Sequence, residues 1–287
     1  MNGNTSESAG LMMISDEEFE LLRRLIYQRF GINLTDQKRS LLVGRLQKLL
    51  RSAGYDGFRS YYEDLLADKT ETKLGELVDR ISTNHTYFNR ERNHFEYFAR
   101  TALPAVVKRL RQSGEKDLRV WCAGCSSGEE AYMLLMLMHE YFGSEYPQWN
   151  CGLLATDISS RVLDIAGKGV YPEDRIQALP QALRNKYLQP TPEGQFAFSD
   201  ALRKEAVFRR FNLMNEKFPF KKPFHIIFCR NVMIYFDAPT RLTLVKKFHQ
   251  FLNPGGYFFI GHSETLGRQQ NLFNYLVPAV YQKELFS

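Results

Sequence analysis

The sequence predicts an α/β protein in which a small all-α domain precedes a mostly parallel sheet with a small antiparallel β insertion. From about Ile14 to Arg80 the patterning is helical only, whereas helix and strand signals alternate from about Leu103 onward, and such alternation is typical of a parallel sheet. A Pro/Gly stretch with period-two aromatics interrupts the alternation. We expect a disordered tail at 1–11, a helical domain at 12–85, a linker helix at 86–103 and a main domain at 104–287.

The composition indicates a folded protein outside the membrane. With 287 residues, 44% hydrophobic and 14% aromatic, the chain can bury a substantial core. Its longest apolar run, around Tyr132 to Met138, is far shorter than the ~20 residues of a membrane span. The N-terminus, MNGNTSESAG, lacks the basic and apolar segments of a secretory signal.

The four cysteines include one C-x-x-C pair, Cys122 and Cys125, but no second pair and no spaced histidine pair. We therefore expect reduced core thiols, no metal, and a cytoplasmic protein. Nothing in the sequence indicates a strong dimer interface, so we expect a monomer.

The helical domain begins with the capping box Ser15 to Glu18, and its first helix ends at Gly31. A second helix carries five basic residues and no acidic one: Lys38, Arg39, Arg45, Lys48 and Arg51. Lys38, Arg45 and Lys48 lie off its leucine stripe. This run, in a chain of net charge +6, is either an ordinary solvated face or a docking surface for an acidic helix.

Five buried strands are predicted in the main domain: Leu118–Cys122, Gly152–Thr156, Phe224–Cys229, Tyr257–Gly261 and Ala279–Lys283. Helices are predicted at Arg161–Gly169 and Thr240–Leu252, and the final strand is expected to run antiparallel at an edge. The β insertion, about 187–210, would contain two strands around a Pro/Gly turn and a third at Ala206–Phe208. A surface loop with aromatic packing is the alternative.

The segment from Leu118 to Met133, LRVWCAGCSSGEEAYM, combines an apolar strand, a small-residue turn and an acidic helix start. Together with a second strand ending at Asp157, it forms the Rossmann-like βαβ unit that holds a ribose between backbone amides and a carboxylate. Glu129 and Glu130 at the helix start would repel a phosphate, which otherwise favours such a position. S-adenosylmethionine fits better, because it has no phosphate, two cationic groups and a ribose.

Polar residues also follow the other predicted strands. Arg230 and Asn231 end one strand, the sequence GHSE closes another, and TNHTYFNR precedes the main domain. Ligands bind beyond the carboxyl ends of strands in open α/β sheets, so Asp157, Arg230 and Asn231 should converge there.

At these motifs the chain closely resembles the chemotaxis receptor methyltransferases of the CheR family. The motifs are TNHTYFNR, AGCSSGEE, ATDIS, FNL, FCRNVMIYF and GHSE. The resemblance implies a class I S-adenosylmethionine-dependent methyltransferase domain and, as cofactor contacts, Asn84, Thr86, Arg90, Glu129, Asp157, Asn212, Leu213, Arg230 and Asn231. It implies that Asp157 takes the ribose hydroxyls and that Arg90 and Tyr235 lie near the methyl group as catalytic residues.

The family's reaction is methyl transfer to a glutamate carboxylate in the helical signalling domain of a chemoreceptor, releasing S-adenosylhomocysteine, for sensory adaptation. Glutamate is ionised at neutral pH, its reference pKa being ~4.3, so alignment matters more than a general base. Alternatively, Tyr235 is only a core residue and Arg90 only an interdomain ion-pair partner.

Further features of the resemblance concern the substrate. In the family, the basic N-terminal helices face the receptor, so Lys38, Arg45 and Lys48 become predicted docking residues. Some members bind a pentapeptide at the receptor C-terminus by strand addition to the β insertion. Here the insertion's turn is about three residues shorter, which predicts an enzyme independent of that tether.

Two other functions remain open in the sequence. A nucleic-acid methyltransferase would suit the pI near 9.0, but the chain has Arg230-Asn231-Val232-Met233 where enzymes that methylate exocyclic amines place an N/D-P-P-Y/F motif. We therefore expect no nucleic-acid partner. A non-catalytic module that binds S-adenosylmethionine would use many of the same residues.

Overall fold

The computed structural model describes residues 12–285, apart from the side chains of residues 268–270. The predicted tail at 1–11 and the last two residues lie outside this range. The chain divides after Ser82 into two compact units. Thr83 to His85 therefore belong to the second unit, whereas the sequence predicted them in the helical domain.

The first unit is helical throughout its described part. It contains α1 (Asp16–Phe30), α2 (Arg39–Ser52), α3 (Phe58–Ala67) and α4 (Thr72–Ile81). The predicted capping box is present: the Ser15 hydroxyl accepts the backbone N–H of Glu18, whose carboxylate accepts that of Ser15. Gly31 ends α1 with a left-handed backbone, φ 69°.

The second unit contains ten strands and eight α-helices among its described residues. The strands are β1 (Asp117–Ala123), β2 (Asn150–Asp157), β3 (Val170–Tyr171), β4 (Leu188–Pro190), β5 (Phe196–Phe198), β6 (Ala206–Arg210), β7 (Phe224–Cys229), β8 (Leu252–Ile260), β9 (Asn274–Val277) and β10 (Val280–Gln282). The helices are α5 (Arg92–Tyr97), α6 (Leu103–Gln112), α7 (Glu129–Phe142), α8 (Ser160–Lys168), α9 (Glu173–Ile176), α10 (Gln181–Tyr187), α11 (Asp200–Glu205) and α12 (Ala238–Gln250).

The central sheet has seven strands in the order β6-β2-β1-β7-β8-β10-β9, and the strands from β6 to β8 are parallel. The predicted fold class is thereby confirmed: a Rossmann-like sheet with a separate small antiparallel sheet. The chain continues from β1 to β2 on one side, whereas β7 lies on the other. The gap between the carboxyl ends of β1 and β7 is therefore the topological switch point, where ligands bind in such sheets.

Residues of β1 alternate between two cores, as the pleat of a strand requires. Leu118, Val120 and Cys122 belong to one hydrophobic cluster, and Trp121 and Ala123 belong to the other. No described helix has both the length and the apolar character needed to cross a membrane.

Three details differ from the sequence-based expectations. Ala206–Phe208 is not part of the β insertion, because β6 pairs in parallel with β2, and the third strand of the small sheet is β3. The final strand is antiparallel to β8 as predicted, but β9 lies outside it at the edge. The linker helix begins only at Arg92, since Asn89 and Glu91 have positive φ angles of 60° and 56°, which a right-handed helix cannot contain.

Candidate functional site

The carboxyl ends of β1 and β2 meet around the carboxylate of Asp157. Its Oδ2 accepts the backbone N–H of Ser126 at 2.8 Å, and its Oδ1 accepts that of Ser159 at 3.0 Å. The Ser126 hydroxyl in turn donates to the carbonyl of Asn84 at 3.1 Å. The turn after β1, the end of β2 and residue 84 are thus joined at one point, and the aspartate is held in a fixed orientation.

The turn between β1 and α7 depends on glycine. Gly128 has φ 95°, and a Cβ there would lie 2.8 Å from the Cβ of Ala166 in α8. Ser126 also adopts a left-handed backbone, φ 49°. Close approach of the turn to α8 therefore requires the absence of a side chain at residue 128.

Each of the two acids at the start of α7 is paired with an arginine of the chain. The Glu129 side chain is completely buried and accepts from Arg175, and its Oε2 accepts the Ser127 hydroxyl at 2.8 Å. Glu130 accepts from Arg230 at 2.5 Å. The acids are thus compensated here by arginines, and Glu129 reaches a ligand only if Arg175 moves.

Arg230 lies at the end of β7 in a largely buried ion-pair network. Its side chain is 2% exposed, and besides Glu130 it donates to Glu91 Oε2 at 2.9 Å and to the carbonyl of Arg90 at 2.5 Å. Its guanidinium also lies 5.3 Å from the ring centre of Phe95. Burial opposes the charge, but the two carboxylates raise the pKa of Arg230 above its ordinary value. A side chain this enclosed has almost no surface to offer a cofactor.

Asn231 and Glu264 join the ends of β7 and β8. Asn231 has φ 57°. Its backbone N–H donates to Glu264 Oε2 at 2.9 Å, and the N–H of Gly261 donates to the same oxygen at 2.5 Å. Glu264 Oε1 accepts the N–H of Ile234 at 3.2 Å, which fixes the turn that carries Tyr235. Burial raises the pKa of Glu264 despite these backbone hydrogen bonds.

The two predicted catalytic residues both contact residues 83–91, hereafter the connector segment. Arg90 donates to the carbonyl of His85 at 2.7 Å and lies 5.9 Å from the ring centre of Tyr87. The hydroxyl of Tyr235 lies 3.4 Å from the carbonyl of Thr83. Both side chains are partly exposed, unlike a core residue.

The remaining predicted cofactor residues follow β6 and begin the connector segment. The backbone N–H of Phe211 donates to the carbonyl of Asp157 at 2.9 Å. This contact brings Asn212 and Leu213 beside the end of β2; Asn212 is partly exposed and Leu213 is buried. Thr86 is partly exposed.

The basic residues predicted for the second helix differ in their contacts, and one of them, Lys38, directly precedes α2. Arg45 is half-buried and donates to the carbonyl of Ile81, at the end of α4. The Lys38 ammonium lies 3.4 Å from the carbonyl of Asn33. Lys48 is exposed. Arg45 therefore stabilises the helical unit itself, whereas Lys48 is available at the surface.

Glu91, His94 and His262 form a cluster that the sequence did not reveal. One ligating atom from each lies within 4.8 Å of the others. Oε2 of Glu91, however, already accepts from Arg230 and from the backbone N–H of His262. The charge of this carboxylate is matched by an arginine.

The cysteines are free thiols, as expected, and Cys122, Cys125 and Cys229 are buried. Burial raises the pKa of these three thiols well above its usual range. This environment suppresses thiolate chemistry.

Sequence reasoning missed Glu91, Arg175 and the role of Glu264. Glu91 directly follows the motif TNHTYFNR, and Glu264 closes GHSE, so both lay next to recognised signals. Arg175 had no signal, because its contact with Glu129 spans 46 residues of chain.

Comparison with known proteins shows the family of this chain. Residues 84–281 match the family profile described as "CheR methyltransferase, SAM binding domain", and residues 17–82 match "CheR methyltransferase, all-alpha domain". The chain is 43% identical to the chemotaxis protein methyltransferase of Borreliella burgdorferi, over 99% of this chain and 100% of that protein. It is 34% identical to that of Escherichia coli, over 94% and 92% of the two chains.

Among solved structures, an rRNA methylase from Streptococcus thermophilus is 13% identical and covers 59% of this chain and 88% of that one, at a TM-score of 0.34. The chain belongs to the CheR family of methyltransferases, and its second unit is the family's domain for S-adenosylmethionine, its cofactor.

Proposed function

We propose that this protein transfers the methyl group of S-adenosylmethionine to glutamate side chains in the cytoplasmic helical domain of chemoreceptors, forming methyl esters for sensory adaptation. The observation that carries the proposal is the oriented carboxylate of Asp157 at the carboxyl end of β2 in a CheR-family sheet. The named function of the relatives as chemotaxis protein methyltransferases supports the substrate class.

The residues at the carboxyl edge of the sheet fit this cofactor. Asp157 is an acceptor for ribose hydroxyls, and two backbone N–H groups fix its orientation. We assign the ribose to Asp157 and further cofactor contacts to Asn84, Thr86, Asn212, Leu213 and the backbone at Asn231.

When bound, the cofactor supplies a methyl group on a positively charged sulfur. Arg90 would orient the incoming glutamate carboxylate, since an arginine can donate two parallel hydrogen bonds to it. Tyr235 would support the methyl end of the site, and Glu264 fixes its turn. No general base is required, because the glutamate is already ionised; correct alignment alone can contribute roughly 7–11 kcal/mol.

The methyl-transfer assay tests this proposal. Purified protein is incubated with methyl-labelled S-adenosylmethionine and receptor-containing membranes, and the methanol released by mild base is measured. We expect base-labile label on the receptor. Label on nucleic acid, or cofactor binding without transfer to any receptor, would contradict the proposal and favour one of the two alternative functions.

Variants of Arg90 and Tyr235 separate catalysis from binding. Arg90→Ala should lower kcat about 10²-fold or more, since misalignment by about 1 Å can cost that factor. Arg92→Ala is the matched control, because Arg92 is exposed and only pairs with Glu96. Full turnover by both Arg90→Ala and Tyr235→Phe would remove these residues from the mechanism.

The substrate dock belongs to the helical unit in this proposal. Lys48 and Lys38 would attract the acidic receptor helix by long-range attraction and help set its register. Arg45 is a weaker candidate than the sequence indicated, because its guanidinium donates to Ile81.

The β insertion supports a tether-independent enzyme. Its hairpin turn is closed by backbone hydrogen bonds from Thr191 to Gln195 at 2.8 Å and from Gly194 to Thr191 at 3.0 Å. Calorimetry with the receptor's C-terminal pentapeptide should detect no binding. Micromolar affinity for that peptide would refute tether independence.

A further inference from the structure

The carboxylate of Glu91 connects three separate parts of the second unit. Its Oε2 accepts from Arg230, at the end of β7, and from the backbone N–H of His262, after β8, at 3.3 Å. Its Oε1 accepts from the side-chain amide of Asn231 at 3.3 Å. Glu91 itself ends the connector segment, so one side chain joins this segment to the carboxyl ends of two strands.

Arg230 completes the connection back to the proposed catalytic residue. The Nη2 that bonds to Glu91 also donates to the carbonyl of Arg90 at 2.5 Å. Glu130 binds the other terminal nitrogen and so fixes the plane of the guanidinium. The backbone of Arg90 is therefore held by an arginine that two largely buried carboxylates orient.

Glu91 and Arg230 are both charged in this network. Burial alone would raise the pKa of Glu91, but the close approach of His94 Nδ1, 3.2 Å from Oε2, and the charge and hydrogen bond of Arg230 hold this pKa well below its usual range. The Glu91 side chain is 14% exposed, and that of Arg230 is 2% exposed. Without the charge of Glu91, only Glu130 would compensate the buried charge of Arg230, and loss of a partner from a buried ion-pair network is unfavourable.

The backbone beside Arg90 needs this support. Asn89 and Glu91, its two neighbours, both have left-handed backbones. Residues other than glycine rarely adopt this backbone conformation, and it persists where surrounding contacts enforce it. At residue 91 the surrounding contacts are those of the Glu91 carboxylate with Arg230, Asn231 and His262.

We infer that Glu91 is a positioning residue for methyl transfer, which sets the location of Arg90 through Arg230 and through the connector backbone without itself touching the substrate. This inference depends on the proposed function, because it assigns a task to Arg90. It differs from a metal site built on Glu91, His94 and His262, since the charge of Glu91 is matched by Arg230.

The test is Glu91→Gln, which keeps the shape of the side chain and removes its charge. We expect kcat for receptor methylation to fall about 10- to 100-fold, the factor that a hydrogen bond to a charged group typically represents. The affinity for S-adenosylhomocysteine should weaken by a smaller factor. The number of binding sites per protein molecule should be unchanged. Glu96→Gln, close in the sequence but in a surface ion pair with Arg92, should behave as wild type.

Amide hydrogen exchange gives a readout that does not require activity. In Glu91→Gln, amides of the connector segment should exchange faster than in wild type, while those of β1 and β2 stay protected. Unchanged exchange, or an unchanged kcat, would overturn the inference. So would tight Zn²⁺ binding by wild-type protein that is lost in Glu91→Gln. If wild-type protein methylates no receptor, the proposed function fails, and the exchange result still decides the role of Glu91 in holding the segment.

Discussion

Replacement of Asp157 by asparagine tests the proposed ribose site with very little change of shape. In the structure both oxygens of Asp157 face backbone donors, Ser126 N–H at 2.8 Å and Ser159 N–H at 3.0 Å. In Asp157→Asn one of these oxygens becomes an NH₂ group, which is itself a donor. One backbone hydrogen bond is therefore lost, and the acceptor loses its charge.

The size of the effect follows from these contacts. A hydrogen bond to a charged group contributes about 1.5–3 kcal/mol. Loss of one such bond to a ribose hydroxyl would weaken cofactor binding about 10- to 150-fold. The lost backbone contact would destabilise the folded protein by about 1–3 kcal/mol as well.

Titration calorimetry with S-adenosylhomocysteine measures the first effect, and urea unfolding measures the second. Asp164→Asn is the matched control, because Asp164 is exposed on α8, the helix that follows Asp157. We expect Asp164→Asn to bind as wild type. Unchanged affinity in a well-folded Asp157→Asn protein would refute the assignment of the ribose to this carboxylate.

Three further predictions concern stability and docking. Burial, followed by the Arg119 charge, lowers the pKa of His225 to about 4. This pKa lies below the ~6.5 of an unfolded histidine, so the associated stability is complete above about pH 6.5 and is lost as the pH falls towards 4. His225→Asn keeps an acceptor for the N–H of Arg119. It should reduce the loss of unfolding free energy between about pH 7 and pH 4.5, measured by urea unfolding, by up to roughly 3 kcal/mol. An unchanged pH dependence of stability in this variant would contradict the prediction. Gly128→Ala should destabilise the protein by about 1–3 kcal/mol through overpacking, because the new Cβ would lie 2.8 Å from the Cβ of Ala166. An unchanged unfolding midpoint would contradict the requirement for glycine at this position. Lys48→Glu should raise the KM for the receptor severalfold at low salt. The rise should be smaller above physiological ionic strength, where the screening length is under about 8 Å. Lys69 is an exposed control in the same unit, and an equal rise in KM with Lys69→Glu would indicate a general charge effect instead.

The local elements were predictable because their signals are local. The capping box at Ser15, the apolar runs of β1 and β7, and the turn at Gly128 each depend on residues close together in the sequence. Parallel strands also bring their carboxyl ends to one edge, which is why Asp157 and Asn231 could be assigned to the same site from the sequence.

Strand neighbours and ion pairs were harder to predict, because they depend on residues distant in the chain. Nothing in the pattern of Ala206–Phe208 distinguishes a hairpin strand from the edge strand beside β2 that it is. The arginine partners of Glu129 and Glu130, Arg175 and Arg230, lie 46 and 100 residues away in the sequence. The sequence therefore indicated two acids open to a cationic ligand, where the fold supplies two arginines.

The most direct test of the proposed reaction is mass spectrometry of a receptor signalling fragment after incubation with the protein and S-adenosylmethionine. We expect added methyl groups on glutamate side chains. Mild base should remove these groups, and they should be absent when the Arg90→Ala variant is used. Base-stable methyl groups on lysine or arginine, or no modification by an enzyme that binds the cofactor, would contradict glutamate esterification as the function of this protein.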